Sequence, residues 1–215
     1  MANTFDSEHE QIEAIKAWWK ENGRVITIGL VLGLGGVFGW STWQSNAIAK
    51  AENASVLYEE MINWARTRNY ARSSELADNL MRDYPDSGYA VFGGLVRASN
   101  AFAENHPDEA RGYLQWVIEN ARRVELQNLA RLRVARLAAD KQEYATALEV
   151  LDGATAPIHY QGAYEETRGD ILVAQDDIEA AARHYTNALE AERISASGRR
   201  RIQMKLDDLG LTTSE

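Results

Sequence analysis

The sequence contains no cysteine, and only three of its 215 residues are proline and four are histidine. The lack of cysteine excludes disulfides, thiolate catalysis and cysteine-ligated metal sites. Alternation of apolar and polar residues, the mark of a half-buried strand, is also missing. Instead, alanine, leucine, glutamate and arginine dominate, and apolar residues recur at three- and four-residue spacing. The sequence therefore predicts an all-α protein.

Catalytic and ligand-binding patterns are missing as well. The histidines are scattered, and none forms an H-x-x-x-H pair. The Gly93-Gly94 pair lacks the strand and the basic residue of a phosphate loop. The formal net charge is −9, with 19 basic and 27 acidic residues after Lys50, which disfavours nucleic acid as a partner. We expect no enzymatic activity, no cofactor, no bound metal and no nucleic-acid partner.

One long uncharged apolar stretch is present, Val25–Trp43. At ~1.5 Å per residue a helix of this length spans about 28 Å, close to the roughly 30 Å apolar core of a bilayer. Its five glycines would each cost about 1 kcal/mol in a soluble helix, but glycine is common in membrane helices. The alternative is a cleavable signal peptide, which has a short basic leader and small residues at the cleavage site. Here the leader, residues 1–24, is long and carries five acids and three bases, so we predict an uncleaved spanning helix.

The basic residues around this stretch predict its orientation. Lys16, Lys20 and Arg24 lie within ten residues on the amino-terminal side, whereas Lys50 is the only basic residue between the stretch and Arg66 on the other side. Because basic residues are retained on the cytoplasmic side, we expect a cytoplasmic amino terminus and a carboxyl-terminal part across the membrane.

The remaining chain divides into four further segments. Residues 1–24 predict an amphipathic cytoplasmic head, because Ile12, Ile15 and Trp19 recur at helical spacing. The alternative is that these residues extend the membrane helix by two turns. Residues 44–53 are expected to be a connector, 54–209 a folded helical domain and 210–215 a tail.

The helical domain contains an internal repeat. Four small or apolar positions of one segment match four of a later segment at a constant offset: Tyr144, Ala147, Leu151 and Ala154 match Ile178, Ala181, Tyr185 and Ala188. This offset equals the roughly 34-residue period of the tetratricopeptide repeat, in which each unit is a pair of antiparallel helices. Upstream, Ser73, Ala110 and Ala147 are evenly spaced at a slightly longer interval. We predict an α-solenoid of four helix pairs, at about 54–88, 91–124, 128–159 and 162–193, closed by a capping helix at 195–209.

The whole arrangement resembles one family. The head Glu13–Gly23, reading EAIKAWWKENG and followed directly by a glycine-rich apolar stretch, carries most of the resemblance, supported by Arg82–Ala90 and Leu129–Leu137. These residues resemble the YfgM family of ancillary Sec translocon subunits. The resemblance implies a single-pass protein of the bacterial inner membrane whose carboxyl-terminal domain is periplasmic. It also implies association with the SecYEG channel and the chaperone PpiD, contact with unfolded secreted proteins and a link to the stress regulator RcsB. No catalytic residue is transferred by it.

A protein-binding groove is expected on the first helices of the pairs, because tetratricopeptide arrays present them on a concave surface. The register gives the following groove residues: Tyr58, Ile62, Phe92, Leu95, Phe102, Leu129, Leu132 and Arg136. The alternative is that these residues are buried between neighbouring helices. If they line a groove, Leu95→Asp and Leu132→Asp should weaken partner capture without unfolding the domain.

The membrane helix is a second candidate interaction surface. Gly29, Gly33 and Gly36 fall on one helix face, a spacing that permits close approach of another membrane helix; the alternative is that glycine is merely tolerated in lipid. Two other function classes remain open at this point. One is a scaffold of a different envelope assembly, and the other is a signalling protein whose head binds a regulator.

Overall fold

The computed structural model describes residues 4–154 and 156–210, and in them every regular element is an α-helix. The predicted tail, apart from Gly210, lies outside the described residues. The helices are α1 (Thr4–Arg66), α2 (Tyr70–Asp83), α3 (Gly88–Ala103), α4 (Pro107–Asn120), α5 (Val124–Asp140), α6 (Tyr144–Asp152), α7 (Gln161–Ala174), α8 (Ile178–Glu190) and α9 (Ala196–Asp208). The all-α prediction is confirmed.

The chain forms two compact units, Met1–Asn53 and Ala54–Glu215. In the first unit, α1 runs unbroken through Gly23 and through residues 44–53. Its mean hydropathy reaches 1.7 over an apolar window, so by length and composition it can cross a membrane; no other helix in the described ranges has both properties. Large side chains of this stretch, including Leu32, Phe38 and Trp40, are exposed. This exposure suits a helix whose solvent is lipid.

The second unit consists of antiparallel helix pairs. The carboxyl-terminal part of α1 pairs with α2, α3 with α4, α5 with α6, and α7 with α8, and α9 packs on α8. The small residues at the equivalent position of each pair are deeply buried: Ser73, Ala110, Ala147 and Ala181 are at most 1% exposed. Small residues at this position let the paired helices approach closely, so the packing explains the sequence repeat.

The turns inside the pairs repeat as well. Arg68, Asn105, Gln142 and Asp176 all have φ between 60° and 63°, and they recur at the spacing of the repeat itself. In each turn the next residue donates its backbone N–H five residues back, as from Glu143 to Ala138 O at 2.8 Å and from Asp177 to Leu172 O at 2.9 Å. This left-handed residue with a 6→1 hydrogen bond is a Schellman ending. The repeat is therefore encoded in its turns as well as in its helix contacts.

The last helix, α9, has an apolar inner side that packs on the array and a polar outer face. Ser195 caps α9 by accepting a hydrogen bond from Gly198 N, and Gly210 follows the helix at φ 67°. On the inner side of α9, Ile202 is 1% exposed and packs with Ala181 and Tyr185. The side chains that remain exposed include Arg199, Arg200 and Asp207, which form the polar outer face that a capping helix requires.

Candidate protein-binding groove

A concavity lies between α3 and α5, with α4 as its floor. It has a volume of about 320 Å³ and is lined by residues of three helices: Ala98, Ser99, Phe102, Ala110, Leu114, Arg133, Arg136, Leu137 and Asp140. We call this concavity the α3–α5 groove. Two first helices form its walls and a second helix its base, as expected for the concave side of a tetratricopeptide array.

The local sequence of α3 determines how closely its neighbours approach. Ser87 begins α3 by accepting a hydrogen bond from Tyr89 N. A Cβ on Gly93 would lie 3.2 Å from Ala77 O, and one on Gly94 would lie 2.8 Å from Val117 Cγ2. A side chain at Gly94 would require α4 to shift, and one at Gly93 would crowd the backbone of α2. The two glycines are therefore structural, and they fix the position of the α3 wall.

The apolar part of the groove combines a buried floor with an exposed wall. Ala110 and Leu114 are 1% and 2% exposed, whereas Phe102 exposes 57% of its surface. More than half of this phenylalanine thus remains open beside an apolar floor. Exposed apolar surface of this kind, rimmed by polar residues, is typical of interaction sites.

The polar part of the groove is cationic. Arg133 and Arg136 project from adjacent turns of α5, and both residues are exposed. Partial burial of the Arg133 guanidinium, followed by repulsion from Arg136, lowers the pKa of Arg133. Among the described side chains, no carboxylate oxygen lies within 4.0 Å of either guanidinium. Arg136 Nη2 instead donates a hydrogen bond to Thr167 Oγ1 at 3.3 Å.

The predicted groove residues are placed in three ways. Phe102 and Arg136 come together in the α3–α5 groove. Four further residues are half-buried: Tyr58, Ile62, Phe92 and Leu129. The centroid of the Tyr58 ring lies 5.3 Å from that of Tyr89 and 5.8 Å from that of Phe92. For these six residues protein binding remains a prediction.

Leu95 and Leu132 require a correction. They are 7% and 4% exposed and belong to the apolar core. The register assigns them to the concave surface, but adjacent pairs are packed closely enough that these positions face neighbouring helices. The alternative of burial between helices therefore applies to both, and their substitution by aspartate is no test of a groove.

The sequence register misses Arg133, Leu137 and Asp140. Each lies three or four residues from a residue that lines the same groove, Arg136 or Arg133. Spacing of this kind places residues on one helix face. The signal is present in the sequence, but a register limited to four positions per unit does not include it.

In the fourth pair, the corresponding concave positions are already occupied. Glu166 is 3% exposed and receives hydrogen bonds from Arg201 Nε at 2.7 Å and Lys205 Nζ at 2.8 Å. Lys205 also contacts Asp170 at 2.6 Å, and Tyr185 Oη donates to Asp170 at 2.8 Å. Helix α9 thus neutralises this end of the concave side, and the open groove lies upstream of it.

The glycine face of α1 is accessible. At Gly29, Gly33 and Gly36 an added Cβ would meet no atom within 4 Å, and the same holds for Gly35 and Gly39 on another face. All these residues are exposed. Docking of another membrane helix here remains a prediction.

Within the described ranges no group of three metal-ligating side chains is assembled.

Known proteins resemble the chain over nearly its whole length. A family model described as a tetratricopeptide repeat-like domain matches residues 16–211. A protein of Neisseria gonorrhoeae named ancillary SecYEG translocon subunit is 30% identical over 207 residues, which cover 94% of this chain and 97% of that protein. Proteins of the same name from Aggregatibacter actinomycetemcomitans and Escherichia coli K12 are 30% and 23% identical, covering 97% and 96% of this chain and 100% and 98% of theirs.

Proposed function

The chain belongs to the family of tetratricopeptide repeat-like ancillary SecYEG translocon subunits, and we propose that it is a non-enzymatic adaptor of the Sec translocon. The protein is anchored in a membrane, because α1 contains a stretch long and apolar enough to cross it and its relatives are named for a membrane channel. In the proposed orientation the amino terminus is cytoplasmic, because Lys16, Lys20 and Arg24 precede the span. The helix pairs would then face the periplasm, where secreted chains emerge.

The observation that carries the proposal is the α3–α5 groove. It offers the exposed Phe102 ring and an apolar floor. An unfolded secreted chain presents apolar side chains that have not yet found a core. A groove of this chemistry can hold such a side chain transiently and pass the chain on to a periplasmic chaperone. PpiD, which the family resemblance names, is the proposed recipient.

Photocrosslinking in cells tests this role. A photoreactive phenylalanine analogue would replace Phe102 in the groove, and the same analogue would replace Met204, which is 54% exposed on α9 outside the groove. We expect the Phe102 position to crosslink to secreted proteins, to SecYEG subunits or to PpiD, and the Met204 position to give far fewer of these products. Equal yields from both positions would refute the groove as the functional surface.

The membrane helix is proposed to dock laterally on the translocon through Gly29, Gly33 and Gly36. A Cβ is tolerated at each position, so Gly33→Leu with Gly36→Leu leaves the isolated helix intact while blocking close approach of a partner. Gly35→Leu with Gly39→Leu is the matched control, because those glycines lie on another face. We expect the first pair alone to reduce co-purification of SecYEG. Unchanged recovery with both pairs would exclude docking through this face.

The same crosslinking approach distinguishes the adaptor role from the alternative of a signalling protein whose head binds a regulator. A photoreactive residue at Trp19, which is 55% exposed in the amino-terminal unit, would report partners of the head. Crosslinks to a regulator such as RcsB from Trp19, together with no client crosslinks from Phe102, would favour signalling over client transfer.

A further inference from the structure

The α3–α5 groove is lined by two neighbouring arginines of α5, Arg133 and Arg136. Several partly buried arginines of the helix pairs are matched by carboxylates: Arg97 contacts Asp78 and Glu109, Arg111 contacts Glu143, and Arg168 contacts Asp152 and Glu165. Arg133 and Arg136 lie in the same array without such a match among the described side chains. Other arginines of the described residues, such as Arg131, also lack a carboxylate partner, so what distinguishes Arg133 and Arg136 is that both line the groove.

Two adjacent guanidinium groups without a counter-ion carry an electrostatic cost. Arg133 is partly buried and is repelled by Arg136, and both effects disfavour its charged form. An anion between the two groups would relieve the repulsion and accept charge-assisted hydrogen bonds from both. Asp140 lines the same groove one turn beyond Arg136 without pairing with it. The negative charge of Asp140 disfavours binding of an additional anion beside Asp140.

The apolar half of the groove lies directly beside these charges. Phe102 faces them from α3, and Leu114 forms the floor. The volume of about 320 Å³ is at the lower end of the roughly 300–1,000 Å³ found for ligand pockets. It therefore admits one or two large side chains and no folded element.

We propose that the α3–α5 groove selects polypeptide segments in which a carboxylate lies within a few residues of a large apolar side chain. The apolar side chain enters beside Phe102, and the carboxylate binds Arg133 and Arg136. This proposal specifies the ligand of the groove and rests on the function proposed above. A polypeptide fits better than an anionic lipid surface, because the apolar floor is recessed and the surrounding domain carries a net negative charge that a membrane of the same sign repels.

Fluorescence anisotropy with the full chain in nanodiscs of neutral lipid tests the selectivity. The probes are three fluorescein-labelled twelve-residue peptides that share two leucines and differ at one neighbouring position, which is glutamate, glutamine or lysine. We expect the glutamate peptide to bind roughly tenfold more tightly than the glutamine peptide, as one charge-assisted contact allows, and the lysine peptide to bind most weakly. Equal affinities for glutamate and glutamine would overturn the proposal.

Variants assign the effect to the groove. Arg133→Gln with Arg136→Gln should abolish the preference for the glutamate peptide. Phe102→Ala should instead lower the affinity for the glutamate and the glutamine peptide by the same factor. Arg200→Gln is the matched control, since Arg200 is exposed on the outer face of α9, and it should leave the preference intact. Asp140→Asn should raise the affinity for the glutamate peptide a few-fold, because it removes a negative charge from the groove. All the substituted side chains are exposed, and circular dichroism of each variant verifies folding.

Two other outcomes would refute the proposal. Self-association of the chain that Phe102→Ala abolishes would assign the groove to a second copy. Binding to anionic vesicles that the Arg133 and Arg136 substitutions abolish, with no peptide preference, would assign it to lipid phosphate. A peptide preference together with no client crosslinks from Phe102 in cells would instead retain the ligand chemistry and refute the translocon role.

Discussion

The Tyr164 hydroxyl donates a 2.5 Å hydrogen bond to the Asn128 side-chain oxygen, and both residues are fully buried at 0% exposure. The bond connects α7 with α5, the first helices of consecutive pairs. The amide of Asn128 also donates to Val124 O at 2.7 Å. Both polar groups of the asparagine are thereby satisfied beside an apolar cluster that includes Leu151 and Ile171.

Removing one partner of this bond should destabilise the domain. Tyr164→Phe leaves the buried Asn128 oxygen without this donor, which costs about 1–3 kcal/mol. We expect denaturant unfolding of the full chain in detergent, followed by far-UV circular dichroism, to show this loss. Tyr160→Phe, at a half-buried tyrosine of the same neighbourhood, should change stability far less, and an equal loss from both would contradict the role of the bond.

The Glu166 contact with α9 should make stability depend on pH. Burial raises the pKa of Glu166, but hydrogen bonds and charges from Arg201 and Lys205 outweigh it and lower the pKa from 4.5 to about 2. A lowered folded-state pKa contributes stability that is present above pH 4.5 and is lost as pH falls toward 2. Since one pKa unit corresponds to about 1.4 kcal/mol, we expect a contribution of roughly 3 kcal/mol at neutral pH.

Thermal unfolding between pH 6 and pH 3 measures this contribution. Glu166→Gln should lower stability at pH 6 and flatten the decline below pH 4.5. Glu149→Gln, at an exposed glutamate of α6, should follow the parent profile. A Glu166→Gln protein with the parental slope would show that the acid sensitivity has another source.

Two glycines of the array should respond to alanine in opposite directions. A Cβ on Gly169 would overlap the Tyr185 ring, which is 3% exposed and hydrogen-bonded to Asp170. Because this ring is held in place, Gly169→Ala should cost about 1–3 kcal/mol through overpacking. Gly112 is exposed on α4, with open space where a methyl group would lie, so Gly112→Ala should gain up to about 1 kcal/mol from helix propensity. Denaturant unfolding of both variants measures the two changes in stability. A change of the same sign in both would contradict the packing argument.

Replacing Gln142 in its turn should make the domain more stable. Its φ of 62° is in the left-handed region, which costs a residue other than glycine about 1–2 kcal/mol. We therefore expect Gln142→Gly to raise the free energy of unfolding by about 0.5–1 kcal/mol, despite the greater freedom of glycine in the unfolded chain. Asn105→Gly should gain less, because asparagine tolerates this conformation. Denaturant unfolding of both variants measures the gain, and destabilisation by Gln142→Gly would mean that its side chain contributes more than its backbone costs.

The burial of Leu132 predicts a different outcome from the one that the sequence register gives. Leu132→Asp places an unpaired carboxylate at a position only 4% exposed, a change expected to cost more than about 4 kcal/mol. Phe102→Asp alters a residue that is 57% exposed and should leave the helical signal intact. Circular dichroism of the two variants distinguishes a core position from a groove position.

The helical repeat could be predicted from the sequence because its defining positions are small residues at close helix contacts. Alanine at 110, 147 and 181 has no polar side-chain group to satisfy and is buried where two backbones approach. Such positions retain their identity from unit to unit, and their spacing recurs in the left-handed turns.

The groove could be predicted only in part. Whether a leucine on a first helix faces the concave surface or the next pair depends on the rotation between pairs, which no single unit encodes. Leu132 is therefore buried while Arg136, one turn later, is exposed. Arg136 is predicted by the register and Arg133 could be found from its helical spacing, but the sequence does not predict that neither arginine pairs with a carboxylate. Whether an arginine pairs with a carboxylate depends on the side chains of other helices.

The ion contacts of α9 have a consequence for the length of the array. A further helix pair added after α8 would take the place of Arg201 and Lys205 beside Glu166. Glu166 would then be a buried carboxylate without a cation, at a cost of several kcal/mol. Growth by duplication of a unit is thus blocked at this end unless Glu166 and Asp170 change at the same time. Glu166 and Asp170 thus favour a capping helix that supplies cations over a further repeat at this end of the array.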